Sequence, residues 1–179
     1  MWYDGLQLDA AEEAASLSID LLSDRVDQPL VCQCHQILGE IHSSKGETEQ
    51  AIDHFEIALR IASPFNWHSE QFRAHFSLAL LFFEQGRFDD SHAHIKRAKS
   101  HAVNNEYLMG RATEFQARFC NRQDRLREAR SEILCAIAIY EKVRATTDLE
   151  RCRSILRGIE EGIGELTTSD ACGESRNQS

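Results

Sequence analysis

Apolar side chains recur at intervals of three and four residues along most of this chain, which is the pattern of amphipathic α-helices. Glycine, proline and short polar clusters interrupt the pattern, and turns are expected there. The pattern predicts seven to eight helices, with expected ranges of 9–24, 31–45, 48–62, 67–85, 88–103, 106–122, 125–144 and 147–164. We therefore predict an all-α fold.

The helices are predicted to form repeated pairs, because the turn after each first helix recurs along the chain. Lys45–Ala51 aligns with Gln85–Ser91 and with Gln123–Ala129, at spacings of 40 and then 38 residues. In this register, three positions always hold a small side chain, which lets the two helices of a pair cross closely. These positions hold Gly39, Ala79 and Ala117; Ala51, Ser91 and Ala129; and Ala58, Ala98 and Ala136.

The alternation of small and large positions resembles the tetratricopeptide repeat (TPR), whose pattern is W-x2-L-G-x2-Y followed by A-x3-F. Leu38-Gly39, Ala51-x3-Phe55 and Ala58 match it, and the resemblance covers about residues 30–145. Histidine or threonine replaces the first aromatic residue of the pattern. The resemblance implies an antiparallel helix-pair solenoid with a right-handed superhelix. The long spacing is similar to that of kinesin-light-chain and MalT-like arrays, and Phe65–Val103 also resembles repeats of fungal nucleotide-binding signalling ATPases.

The predicted domain organisation follows from this register. We expect an N-terminal extension at 1–8, a TPR-like domain at 9–164 and a disordered tail at 165–179 that has little to bury. The repeats are placed at about 32–65, 72–105 and 110–143, and a capping helix at 147–164. The helix at 9–24 resembles the second helix of a repeat without its first helix, so we expect an open apolar face there.

Charge and cysteine content restrict the functional classes. The formal net charge of −9 is the opposite of what binding to a phosphate backbone requires, so nucleic acid is not an expected partner. No leader pattern and no apolar run long enough to cross a membrane is present. The six cysteines form no tight disulfide framework, and Cys120 and Cys135 occupy apolar helical positions. We expect reduced thiols and a cytoplasmic protein, with a nuclear location fitting equally.

Catalytic and metal motifs are not evident. The glycines form no phosphate-binding loop and no nucleophile elbow, so no cofactor and no enzymatic activity is predicted. His92, His94 and His101 are the strongest metal candidates, but residues two apart on a helix point to different faces and zinc favours intervals of three or four. Cys32-Gln33-Cys34-His35 lacks a second ligand pair at zinc spacing. No metal site is predicted.

The resemblance implies a binding groove along the first helices, at the second, fifth, ninth, twelfth and thirteenth positions of each repeat. These positions hold Gln33, Gln36, Glu40, Ser43 and Ser44; Arg73, Phe76, Leu80, Phe83 and Glu84; and Arg111, Glu114, Arg118, Asn121 and Arg122. The predicted groove changes from neutral and acidic through apolar to basic. Phe76, Leu80 and Phe83 form one helical stripe, which either packs on neighbouring first helices or anchors a bound peptide.

Residues 87–130 carry 10 basic and 6 acidic side chains in an otherwise acidic chain. This excess either forms a solvated face or attracts an acidic partner segment. We therefore predict a protein-interaction scaffold that binds a peptide or helix with acidic and apolar residues. The alternatives are a sensor or regulatory fragment of a larger nucleotide-binding signalling protein, and a module that self-associates through its N-terminal helix.

Overall fold

The computed structural model describes residues 2–22 and 27–174, and it describes side-chain surroundings for 7–22 and 27–164. The described residues form eight α-helices and no strand, which confirms the predicted all-α class. The helices are α1 (Trp2–Leu22), α2 (Gln28–Lys45), α3 (Thr48–Ala62), α4 (His68–Glu84), α5 (Phe88–His101), α6 (Glu106–Arg122), α7 (Leu126–Val143) and α8 (Thr146–Glu174). A short 3-10 turn at Ser63–Phe65 precedes α4.

The two terminal helices differ from the predicted ranges. Helix α1 begins at Trp2, inside the segment expected to be an extension, and the predicted end of this helix at 23–24 lies outside the described residues. Helix α8 continues to Glu174, although a disordered tail was expected from 165. Of that tail, only 175–179 lies outside the described residues.

The helices are grouped into two compact units. Unit 1 is Met1–Val103 and contains α1 to α5; unit 2 is Asn104–Ser179 and contains α6 to α8. Within unit 1, α2 packs on α3 and α4 on α5, while α1 covers α2 and α3 contacts α4. Within unit 2, α6 packs on α7, and α8 packs on α7 and touches α6.

The small residues lie where the two helices of a pair cross. All nine of the predicted small positions are buried. At Gly39 on α2, a Cβ atom would lie only 2.6 Å from the ring of Phe55 on α3. At the equivalent crossing of α4 and α5, the Ser91 hydroxyl donates a hydrogen bond to the backbone oxygen of Ala79 at 2.7 Å. The small-residue register therefore sets the close approach of each helix pair.

The turns within the pairs also agree with the sequence. Gly46 and Gly86 adopt left-handed backbone angles, with φ of +79° and +73°. Only glycine reaches these angles without a steric cost, which explains why glycine ends α2 and begins the turn after α4. Asp124 occupies the same region with φ of +56° at the third turn, a conformation that aspartate tolerates at a modest cost.

One prediction about the cysteines is wrong. Cys32, Cys34, Cys120 and Cys152 are buried as free thiols, but Cys135 on α7 is exposed. The buried stripe of α7 runs through Ala129, Ile133, Ala136 and Tyr140, at helical intervals that leave position 135 on the opposite side.

Candidate functional site

Unit 1 contains a recess between its two first helices, α2 and α4. The recess has a volume of about 210 Å³. It is lined by Glu40, Ser43, Ser44, Phe55, Ser77, Leu80, Leu81 and Glu84. Its lining combines an apolar floor with serine hydroxyls and two carboxylates. This combination suits a side chain that has an aliphatic part and a polar or cationic end.

Five residues selected by the repeat register line this recess. Glu40, Ser43 and Ser44 come from α2, and Leu80 and Glu84 come from α4. Ser77 also lines the recess but was missed, because it does not occupy one of the family's contact positions. A helical stripe could have found it, since Ser77, Leu80 and Glu84 are spaced at i, i+3 and i+7.

The two carboxylates of the recess differ in their surroundings. Glu40 forms an ion pair with Arg73 across α2 and α4, at 3.5 Å between Oε1 and Nη2, with both side chains substantially exposed. Arg73 is therefore engaged within unit 1. Glu84 is exposed and has no polar partner among the described residues. A cation that enters the recess finds an unpaired carboxylate at Glu84.

The fifth position of each repeat is buried instead of open. Gln36 is 1% exposed and donates a hydrogen bond from Nε2 to the backbone oxygen of Glu70 at 2.9 Å. Phe76 is 7% exposed and stacks on Phe72, with 5.4 Å between ring centroids.

The other predicted groove residues of unit 1 differ in exposure. Phe83 is half-buried and contacts the ring of Phe88 edge-on. Gln33, by contrast, is exposed on α2. Of the predicted aromatic stripe, Leu80 is the member that lines the recess.

Glu114 on α6 is held inside unit 2 by three internal donors. It is 5% exposed, and Arg151 of α8 reaches it from Nε at 2.6 Å and from Nη2 at 2.7 Å. The hydroxyl of Tyr140 donates a third hydrogen bond at 3.0 Å. Burial and the neighbouring Glu114 carboxylate raise the pKa of Tyr140, so the phenol stays protonated and donates. The Glu114 carboxylate is thus occupied by internal partners.

The remaining predicted residues of α6 form a polar surface on unit 2. Arg118, Asn121 and Arg122 are exposed, and Arg111 is half-buried. Arg118 and Arg122 have no ion-pair partner among the described residues. Two unpaired guanidinium groups at i and i+4 on one helix are suited to a carboxylate-bearing segment.

Unit 2 has a cavity of its own, with a volume of about 400 Å³, at the start of α6 and the end of α7. Glu106, Met109, Ala138, Ile139 and Lys142 line it. Lys142 and Glu106 are ion-paired with each other, and the rest of the lining is apolar. None of the residues selected by the register lies there.

The histidine and cysteine candidates do not assemble a metal centre in the part of the chain that is described. No three His, Cys, Asp or Glu side chains within 7–22 and 27–164 converge in a way that could hold a metal ion. His92 is exposed, whereas His94 turns toward His75 on α4. Burial raises the pKa of the Cys32 thiol to about 11, and its Sγ contacts the backbone oxygen of Ala58. Among the described helices, none is long and apolar enough to cross a membrane.

Comparison with known proteins gives matches by structure only. No family model and no curated protein matches the sequence. The structure of BtubC (BKLC) from P. vanneervenii matches with a TM-score of 0.70 and 15% identity, over 99% of this chain and 82% of that one. A second match is a Podosopora anserina chain that is named as a kinesin light chain and whose TPR-like repeats are nearly identical to one another. It matches with a TM-score of 0.63 and 13% identity. That match covers 98% of this chain and 92% of the other, and a point variant of the same repeats gives a TM-score of 0.64. The chain therefore has the fold of TPR-like helical repeat proteins, an all-α helical solenoid.

Proposed function

We propose that this chain is a non-catalytic protein-interaction scaffold that binds a peptide or helical segment of a partner protein on the first helices of its repeats. The recess between α2 and α4 carries the proposal, because it combines an apolar floor with the unpaired carboxylate of Glu84. Such recesses between helices hold anchor side chains of bound segments. The proposed compartment is the cytoplasm, where the free thiols of the described cysteines would stay reduced.

Each unit favours a different chemistry in the partner. Leu80 and Leu81 favour an apolar anchor in the unit 1 recess, and Glu84 favours a lysine or arginine beside that anchor. Arg118 and Arg122 on unit 2 favour acidic residues. Unit 1 therefore favours a segment with apolar and basic residues, and unit 2 favours a segment with acidic residues.

A second function, self-association through α1, has its own supporting observation. Leu17 and Leu21 are 58% and 67% exposed on α1, together with Ala10 and Ala14 at the same helical face. An apolar stripe of this kind is a common contact surface for another helix. Sedimentation at rising concentration tests it: a constant monomer mass would rule out self-association at those concentrations.

Affinity capture with matched variants tests the scaffold. We would compare the wild type with a Leu80→Ala, Glu84→Lys variant, in which the recess loses part of its apolar floor and its unpaired carboxylate. The control is a Leu134→Ala, Glu56→Lys variant, which makes the same two changes at exposed positions on α7 and α3. Circular dichroism first establishes that all three chains are equally helical.

The expected result is a set of proteins captured by the wild type and the control and lost from the recess variant. Segments of those proteins, synthesised as peptides, should bind the wild type. The Glu84→Lys substitution should weaken the binding of peptides that have lysine or arginine beside the anchor. If the recess variant and the wild type capture the same set, the recess is not the binding surface.

A further inference from the structure

Seven of the eight histidines lie in two stacks inside unit 1. Stack A contains His35 and His42 of α2 and His54 of α3. Stack B joins α4 to α5 and contains His68, His75, His94 and His101. The eighth, His92, is exposed and belongs to neither stack.

The two stacks repeat the same contact in the repeat register. The Nδ1 atoms of His35 and His54 lie 3.0 Å apart, and those of His75 and His94 lie 3.2 Å apart. Each pair is separated by 19 residues in sequence, and the two pairs are offset by the 40-residue spacing of the repeats. In both pairs, an aromatic ring from the first helix also lies against the histidine of the second helix. The ring centroids of His42 and His54 are 5.1 Å apart, and those of Phe82 and His94 are 5.4 Å apart.

Stack B extends further than stack A. His101 stacks on His75 with 5.7 Å between centroids, and its Nδ1 atom lies 3.4 Å from that of His68. His75 is 9% exposed, whereas His94 and His101 are half-buried. The four imidazoles therefore form a continuous series from the buried face of α4 to the surface.

Close Nδ1 contacts of this kind require that at least one imidazole of each pair stays neutral. One ring of a pair donates its proton and the other accepts it, so a pair can share one additional proton at most. A second proton would turn both nitrogens into donors and place two cations at about 3 Å in a partly buried site. Protonation of both rings of a pair therefore opposes the contact between the first and second helices.

The charged groups around the stacks mostly favour the neutral rings. Burial lowers the pKa of His75 to about 4, with contributions from His94, His101 and Arg97. Burial first, and then Arg97, also lowers the pKa of His94, although Asp90 opposes this. The pKa of His101 is lowered by burial and by His68.

Stack A has the same balance. Burial, His54 and Arg60 lower the pKa of His35. Burial and His42 lower the pKa of His54, whereas Asp53 of α3 and Glu12 of α1 oppose this. Glu47, in the turn after α2, bonds to Nδ1 of His42 at 2.6 Å. For His54, the carboxylates of Asp53 and Glu12 reduce the lowering of the pKa without reversing its direction.

We propose that the two histidine stacks are an acid-sensitive device that loosens the helix pairs of unit 1 when their imidazoles are protonated. Unit 2 is the built-in comparison, because residues 104–179 contain no histidine. The positions equivalent to His75 and His94 hold Thr113 and Glu132 there. Acid therefore acts on the helices that line the recess and leaves α6 to α8 as they are.

The sign of the effect follows from proton linkage. A histidine with a lowered pKa in the folded state stabilises that state above its ordinary pKa, and this contribution is lost as the pH falls through about 6.5 toward the folded value. For His75 alone, lowering the pH from about 7.5 to about 5.5 increases the opening equilibrium of α4 and α5 by about tenfold. The lowered pKa values of His35, His54, His94 and His101 act in the same direction.

Amide hydrogen exchange of the full chain at pH 7.5 and 5.5, corrected for the intrinsic rate, tests the proposal. Peptides from α2 to α5 should lose protection at pH 5.5 by tenfold or more, while peptides from α6 to α8 keep theirs. Equal change in both units, or no change in unit 1, overturns it. The wild type alone decides this, so the outcome does not depend on any variant folding.

Two variants locate the effect. His75→Asn with His94→Asn places an amide near each Nδ1 atom without a titratable ring, and His92→Asn is the control outside the stacks. We expect the double variant to lose the acid response in α4 and α5 and to retain it in α2 and α3. If the double variant and the control respond as the wild type does, the stacks are not the sensor.

Discussion

The ion pair that buries Glu114 provides the most direct test of the packing in unit 2. Replacing Arg151 by methionine keeps the aliphatic stem of the side chain and removes the cation. The Glu114 carboxylate would then keep the Tyr140 hydroxyl and the Cys152 thiol as donors but no cation. Arg153 is the matched control, since it lies on the same helix and its Nη2 pairs with Glu141 at 3.1 Å on the surface.

The expected cost follows from the exposure of the two pairs. Removing one partner of a fully buried pair costs about 3 to 5 kcal/mol, and an exposed pair contributes about 1 kcal/mol or less. The Glu114 side chain is 7% exposed but that of Arg151 is 47% exposed, so water replaces part of the lost interaction. We therefore expect about 2 kcal/mol for Arg151→Met, discounted for solvent screening. Arg153→Met, whose pair is 57% and 53% exposed, should cost under about 0.5 kcal/mol.

Urea denaturation combined with hydrogen exchange measures the difference. Repeat proteins do not always unfold in one step, so exchange of α6 to α8 peptides assigns the loss to unit 2. A cost of about 2 kcal/mol lowers the urea midpoint of that unit by about 1 to 2 M. In a Glu114→Gln background, Arg151→Met should cost clearly less, because a neutral amide needs no cation. Equal effects of Arg151→Met and Arg153→Met would refute the reasoning.

Two further predictions concern unit packing and thiols. Gly39→Ala should destabilise the chain by about 1 kcal/mol, because overpacking against the buried Phe55 ring outweighs the gain in helix propensity; an unchanged or higher urea midpoint would contradict this. A maleimide reagent should label exposed Cys135 within minutes but reach Cys32 and Cys152 only on unfolding, because burial raises their pKa to about 11 and 12. Mass spectrometry of native and urea-treated samples checks this order.

The sequence predicted those features that depend on local spacing. Small residues such as Gly39 and Ala79 mark the helix crossings, and Gly46 and Gly86 mark the turns, because each requirement acts on one position of a repeated unit. These signals were sufficient to predict the first and last residues of α2 to α7 to within one or a few residues. The same register selected five residues that line the recess of unit 1.

Contacts between distant helices could not be predicted in the same way. Arg151 lies 37 residues from Glu114, and no pattern of spacing links a capping helix to one residue of a first helix. The histidine pairs are a different case, since their 40-residue offset is visible in the sequence. Metal-ligand spacing on a helix applies to intervals of three or four residues within that helix, whereas each histidine pair bridges two helices.

The fifth repeat position shows how the accessible surface of the first helices is restricted. Family resemblance places a ligand contact there, but Gln36, Phe76 and Glu114 are all buried, each by a different interaction. Gln36 bonds to a backbone oxygen, Phe76 stacks on a neighbouring ring, and Glu114 forms an ion pair. Because three unrelated side chains are buried at one position, burial there is a property of the helix packing. A partner that binds the first helices, as proposed, is therefore expected to contact positions other than the fifth, such as Leu80 and Arg118, which are half-buried and exposed respectively.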